Sequence, residues 1–436
     1  MEYLSSNKIA IVDLTTGEIK EEELEESIVQ EKIGGAGITS ALYAQYQAED
    51  PIVLGSGLLT GTLVPGSSLG VLTARSPLSG KVGHAPLTLY AGMELKFSGF
   101  DYVVIKGVSA KPVSLWLHDG ILDSNPADDL WGRDLWQTTE AIRQSLGDDL
   151  IQVLAIGPAG ESASSLAQVN INYWGSGDRW GFGGLFGSKK LKSIAFRGLG
   201  LLEISDPEGF IAQSQSLLNE IKKGPWAGKK GIAEIAAALG ETDVPEWLAP
   251  ITHRHRACFN TPYATNTFVY LDEDPRMLKE TEGAEPGFLI TDLYGLLGFK
   301  KIGLSAVDSC RLLKDCARNG LDPVAVSELS LKSGADNIES IRKSLPGLEG
   351  SRDCIGKTPF SPWAPMKPLR ADFSGSAEGD WWVKRQALAY IFGLHPVFAL
   401  MASELTEEKL LEMARIGTGL EFTRETLDKV IDGLIK

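Results

Sequence analysis

The sequence predicts an α+β protein, β-rich in its N-terminal half and helical beyond it. Three observations carry this. β-branched runs punctuated by Gly and Pro fill the first 200 residues, apolar residues recur at helical spacing afterwards, and the texture changes at Ser205-Asp206-Pro207. Residues 9–24, IAIVDLTTGEIKEEEL, alternate around Thr16-Gly17 and read as a hairpin, and SLGVLTARSPLSG, DYVVIKGV, VSLWLHDGIL and SIAFRGLG read as further strands. Two helices interrupt them: ITSALYAQYQ after Gly34-Gly35-Ala36-Gly37, and LWQTTEAIRQSLG.

From Asp206-Pro207, a capping residue followed by Pro at the first helical position, a run of helices begins. The expected organisation is a β-rich domain over 1–205, a helical domain over 206–345, an irregular linker over 346–379 and a C-terminal helical segment over 380–436. The linker is rich in Pro, Gly and Ser, and loops of such length are seldom idle. Trp363, Trp381 and Trp382 flank it and favour an interface there.

At 436 residues with 43% apolar content, the chain is long enough for a substantial core, and about 100–200 residues per domain suggests two to four domains. Its 42 basic and 57 acidic residues leave a net charge of −15 without a basic block. That excludes a nucleic-acid backbone or an anionic membrane as the main partner, since both demand clustered Lys and Arg. Cys258, Cys310, Cys316 and Cys354 are too few and too irregularly spaced for a secreted disulfide framework, and no signal peptide or membrane span is read. A soluble cytoplasmic protein is expected.

Two glycine clusters are candidate ligand sites. Gly34 and Gly37 open a helix, where backbone N–H groups can face a phosphate, although a tight strand-to-helix turn explains them more simply. Gly181, Gly183, Gly184 and Gly187 follow Arg179, which can offer a bidentate fork to an anion. Close packing of a strand against Trp174 and Trp180 accounts for this cluster equally well.

Several phrases together resemble the tungstopterin aldehyde:ferredoxin oxidoreductase family. They are the VDLTTGEIK hairpin, GGAGITSALY, Leu59-Thr60-Gly61-Thr62, Ser76-Pro77-Leu78-Ser79-Gly80, the run from Glu94 to Asp101, the run from Ile156 to Glu161, and Gly187-Ser188-Lys189-Lys190-Leu191-Lys192. Their order covers about residues 5–200, with a fainter likeness through 206–330 and from Asp380 onward. The resemblance implies an N-terminal double β-sheet domain that cradles a tungsten bis-pyranopterin, followed by mainly helical domains. It also implies aldehyde oxidation, with electrons leaving through a cubane iron–sulfur cluster. Family members are longer, and the 345–380 region looks like the place where a segment is lost.

The resemblance also allows an audit of ligands. The cluster positions match Cys258, Thr261, Thr265 and His395, of which only the first is a thiolate donor. A cubane cluster needs four thiolates or close substitutes. An Arg of the pterin site matches Leu69, a polar pterin-binding segment matches Ala85-Pro86-Leu87-Thr88-Leu89, and a second Arg matches Gly175. Arg179, Gly320 and Asp322 are retained, so Gly34, Gly37, Arg179, Gly181, Gly183, Gly320 and Asp322 remain as remnants of a cofactor pocket.

His253, His255 and Cys258 resemble a metal set on paper, but no fourth ligand stands nearby and Arg254 and Arg256 repel a cation, which favours a basic surface strip. Hydrolase, zincin and Walker patterns are absent. No catalytic residue, resident metal or cofactor is assigned. The sequence thus favours a shortened, ligand-depleted paralogue acting as a structural or partner subunit. Its partner would be a second copy, a catalytic family subunit or an electron-transfer protein. The alternative is an active aldehyde oxidoreductase with a reduced cofactor set, passing electrons to a ferredoxin-like partner.

Overall fold

The computed structural model describes residues 3–271, 287–350, 358–373 and 375–435. In chain order the first six strands are β1 (Lys8–Asp13), β2 (Glu18–Glu23), β3 (Ile52–Ser56), β4 (Gly70–Arg75), β5 (Val82–Leu87) and β6 (Tyr102–Lys106). They form one sheet in the order β2-β1-β6-β3-β4-β5, antiparallel except for the β1–β6 pair. The β1–β2 hairpin turns at Gly17, whose φ of +74° suits glycine. The edge strand β2, EIKEEE, is almost all charge, which discourages pairing with another chain.

A second sheet collects β7 (Val113–His118), β8 (Ile121–Pro126), β9 (Gln152–Ala155), β10 (Asn170–Ile171) and β11 (Leu191–Arg197), in the order β10-β9-β11-β7-β8. The expected double-sheet N-terminal architecture is therefore present, and mainly helical structure follows. Helix Leu135–Leu146 begins at a capping box between Asp134 and Gln137 and ends at Gly147 in a left-handed conformation. Helix Pro207–Ile221 starts where the sequence placed it, with the Asp206 side chain accepting from the Gly209 N–H.

The region over 206–345 also holds a three-stranded sheet that the helical reading passed over: β12 (Thr252–Arg256), β13 (Asn266–Tyr270) and β14 (Gly287–Ile290). Short strands flanked by irregular chain leave little periodicity to read. The described part of 346–379 has no helix or strand, but its 358–365 stretch is largely buried. Trp363, Trp381 and Trp382 belong to the core, at 4%, 8% and 5% exposure, so the expected tryptophan interface is not found there. The Trp382 indole N–H donates to the Pro365 carbonyl at 2.7 Å, which gives the buried ring its polar partner. Helices Trp381–Phe392, Glu407–Thr418 and Arg424–Ile435 complete the chain. Among the described residues no helix is long and apolar enough to cross a membrane.

Candidate functional site

The residues singled out in the sequence fall in several places, and one of them is an ion-pair cluster that joins the 175–188 segment to the N-terminal ends of helices Leu293–Ile302 and Pro323–Ser333. Arg179 lies at the centre and is 1% exposed. Its Nη1 donates to Asp322 Oδ1 at 2.5 Å, and its Nη2 donates to both carboxylate oxygens of Asp292 at 2.7 and 2.6 Å. Each aspartate is also a helix cap: Asp292 accepts from the Gly295 N–H at 2.8 Å and Asp322 from the Val324 N–H at 2.9 Å. Burial opposes the charge on Arg179, but Asp292 and Asp322 outweigh it and hold the guanidinium protonated. Arg179 and Asp322 are thus in direct contact, and each serves as the other's partner. Asp292 was missed; its sequence signal is only that of a cap before LYGLL.

Beside this clamp, burial pushes the Asp178 carboxyl up to about 7, against N–H donors on Trp180 and Val169 that favour its charged form. Gly320 caps helix Ala306–Asn319 at φ +70°, and its carbonyl accepts from the Gln168 N–H at 2.7 Å. The glycine clusters face protein. A Cβ on Gly34 would lie 2.8 Å from the Leu58 nitrogen and 3.1 Å from the Ile391 carbonyl oxygen, and one on Gly37 would lie 2.2 Å from the Lys32 carbonyl oxygen. Gly181 and Gly183 press on the carbonyls of Ser165 and Gln168, at 2.3 and 2.5 Å from built Cβ positions. The second cluster is a short helix, Phe182–Ser188, packed on the 160–168 segment, and not a strand against Trp174 and Trp180.

The two segments that the family resemblance sets against a pterin, 85–89 and 175–179, touch each other. A Cβ built on Gly177 would sit 2.3 Å from Pro86 Cγ. The 358–363 segment fills what remains. His84 donates its N–H to the Pro359 carbonyl and its own carbonyl accepts from the Ser361 N–H, both at 2.8 Å. The Ser361 hydroxyl donates to the Gly177 carbonyl, and the Phe360 ring stands 5.5 Å from His84 and 4.8 Å from Tyr390. The Trp180 indole N–H donates to the His84 carbonyl at 3.1 Å. Leu69, which the family resemblance matches to a pterin-site Arg, is fully buried, with its N–H on the Gly393 carbonyl at 2.9 Å.

The cluster-matched positions also gather. Gly66 donates its N–H to Asn260, inside the 258–265 loop, and accepts from the His395 N–H, at 2.7 and 2.8 Å. Cys258, Thr261, Thr265 and His395 are all buried. Burial pushes the Cys258 thiol up to about 11 and the His395 imidazole down to about 3, so both groups are neutral near pH 7. His395 Nδ1 accepts from the Phe398 N–H at 3.3 Å, while its Nε2 has no partner among the described residues. The Thr261 hydroxyl donates to the Phe259 carbonyl at 3.2 Å.

The His253–His255 pair lies on β12, where His253 Nε2 meets the Tyr270 hydroxyl at 3.0 Å and His255 Nδ1 meets Thr267 Oγ1 at 3.2 Å. Arg254 and Arg256 stand over the rings of Phe268 and Tyr90, at 4.5 and 5.8 Å. Cys310 and Cys316 are buried on helix Ala306–Asn319, and Cys354 lies outside the described residues. Among the described residues no group of three or more His, Cys, Asp or Glu side chains is arranged to hold a metal.

A family model described as aldehyde ferredoxin oxidoreductase, N-terminal domain, matches residues 9–198. The tungsten-containing aldehyde ferredoxin oxidoreductase of Pyrococcus abyssi (strain GE5 / Orsay) is 32% identical over 309 residues, covering 64% of this chain and 50% of that protein. The enzyme of the same name from Pyrococcus furiosus is 31% identical over 244 residues, covering 53% and 40%. An aliphatic sulfonate oxidoreductase, WOR-like subunit, from P. furiosus is 26% identical over 230 residues, covering 47% of this chain and 36% of that protein. The chain spans about half the length, or less, of these curated relatives. In three dimensions it is similar to a chain of the active-site complex BamBC of benzoyl coenzyme A reductase, solved with 1,5-dienoyl-CoA. The match has a TM-score of 0.79 at 17% identity and covers 99% of this chain and 88% of that one, a likeness of fold. The matched residues 9–198 hold nearly all of the double-sheet domain, so this part of the chain is similar to the N-terminal domain of aldehyde ferredoxin oxidoreductases.

Proposed function

We propose that this chain is a cofactor-free member of the aldehyde ferredoxin oxidoreductase family, retained in the cytoplasm as a structural or partner subunit of an oxidoreductase complex. The observation that carries this reading is the direct contact of Pro86 with Gly177, sealed by Phe360 and Ser361. A bis-pyranopterin placed between these segments would have to displace core side chains, and it would meet Leu69, Pro86 and Leu87 where it needs polar donors. Buried polar groups left unpaired cost about 1–3 kcal/mol each, and charges more. The residues at the cluster-matched positions do not fit an iron–sulfur cluster either. One protonated thiol, two hydroxyls and a neutral imidazole supply far less donor charge than four thiolates.

Assembly with another chain is supported by relatives whose names include a subunit and a two-component complex. The natural partner is a catalytic family subunit, an electron-transfer protein or a second copy. Anaerobic purification followed by elemental analysis and pterin fluorescence tests the reading. The expected result is no stoichiometric tungsten, molybdenum, iron or pterin, and no aldehyde-dependent reduction of a viologen dye. Stoichiometric metal with pterin, or dye reduction by the isolated chain, would instead establish an active oxidoreductase with a reduced cofactor set.

A further inference from the structure

Helices Leu293–Ile302 and Pro323–Ser333 cross with almost no space between them at Gly295 and Gly298. Built Cβ atoms there would lie 2.7 Å from Pro323 Cγ and 2.2 Å from Ser327 Oγ. Beside the crossing they diverge into a cleft of about 610 Å³, closed on its third side by Pro362 and Met366. That volume suits a small organic molecule. Both walls are fixed before anything binds, because Arg179 holds the caps of the two helices through Asp292 and Asp322. A preformed site avoids the cost of ordering its walls on binding.

The lining is mostly apolar. Leu331 and Met366 both face this cleft and are 42% and 51% exposed, among the most exposed large apolar side chains of the protein. The charges are specific as well. Arg179 at the floor is saturated by its two aspartates, and Lys300 is paired with Asp243 at 2.8 Å. Lys301 lines the same cleft and makes no ion pair among the described residues. Glu241 and Glu328 also border it, and they oppose negative charge on a ligand wherever Lys301 does not offset them.

We propose that this cleft binds an apolar-bodied organic monoanion, a medium-chain or aromatic carboxylate. Its carboxylate pairs with Lys301 and its body lies against Leu297, Leu331 and Met366. The site needs neither metal nor pterin, so it stands or falls separately from the cofactor-free reading above.

The test uses the full chain labelled with ¹³C at the methionine methyls, titrated with octanoate and benzoate, with octylammonium and inorganic phosphate as controls. The expected result is a saturable shift of the Met366 methyl with the carboxylates and none with either control. Lys301→Gln should weaken the carboxylate by about three- to fivefold, the worth of one exposed ion pair. Leu331→Asp, an exposed position at which the fold should persist, should weaken it more than about tenfold by removing apolar contact and adding like charge. The remaining methionine signals report whether each variant is folded. The proposal is overturned if neither carboxylate gives a saturable shift, if octylammonium or phosphate acts equally well, or if both folded variants bind as the parent does.

Discussion

Pro86 rests its ring on the backbone of Gly177, so closely that a Cβ on the glycine would stand 2.3 Å from the proline Cγ. The contact joins β5 to the loop before Arg179 and leaves no layer between them. Gly177→Val should therefore destabilise the fold by about 1–3 kcal/mol through overpacking. Urea unfolding would measure this; an unchanged midpoint would mean that the two segments stand apart in solution.

Arg179 makes a second prediction, because its removal strands two buried carboxylates at once. Arg179→Met should cost about 3–5 kcal/mol, the usual penalty for breaking a buried ion pair from one side. Arg179→Lys keeps the charge but loses the fork that reaches Asp292 and Asp322 together, so it should fall between the parent and Arg179→Met. Equal stability of the Lys variant and the parent would show that only charge matters here.

Two buried groups bend the pH dependence in opposite directions. The Asp178 carboxyl is raised to about 7 from 3.8, so between those values the native state binds a proton that the unfolded state lacks, and stability falls as pH rises. The His395 imidazole is lowered to about 3 from 6.5, so its stabilisation is present above pH 6.5 and is lost as pH falls toward 3. Subtracting the Asp178→Asn profile from that of the parent should leave a downward slope over the first window. Subtracting His395→Gln should leave an upward slope over the second. Flat differences would contradict the burial of these groups.

Thiol chemistry offers a fourth check. Cys258, Cys310 and Cys316 are buried, and burial raises all three thiols above their ordinary range. In the native protein they should react with a thiol reagent only as fast as the chain opens, and fully once it is denatured. Rapid native labelling of Cys258 would show an accessible thiolate and would reopen the question of metal binding there.

The sequence was readable where local chemistry decides the outcome. Thr16-Gly17 makes the hairpin turn, Asp134 with Gln137 caps a helix, and Asp206-Pro207 starts the next. It was less readable where distant segments decide. Nothing near Phe360 signals that it will bridge to His84, and nothing near Asp292 identifies Arg179 as its partner, 113 residues away. The tryptophans at 363, 381 and 382 were misread for the same reason: the irregular chain between them carries no period, and the rings are buried by segments distant in sequence. Of the candidate pocket residues, Arg179 and Asp322 do meet, while Gly34, Gly37, Gly181 and Gly183 lie against backbone.

The clamp on Arg179 has a consequence for how the chain can be divided. Arg179 belongs to the β-rich part, and both of its partners cap helices that come after residue 290. A fragment ending near residue 205 would lose both of the carboxylates that the guanidinium bonds. The complementary fragment would carry two acids with nothing to neutralise them. The change of texture near residue 205 is thus spanned by a buried ion-pair cluster, so the parts on either side of it should melt together.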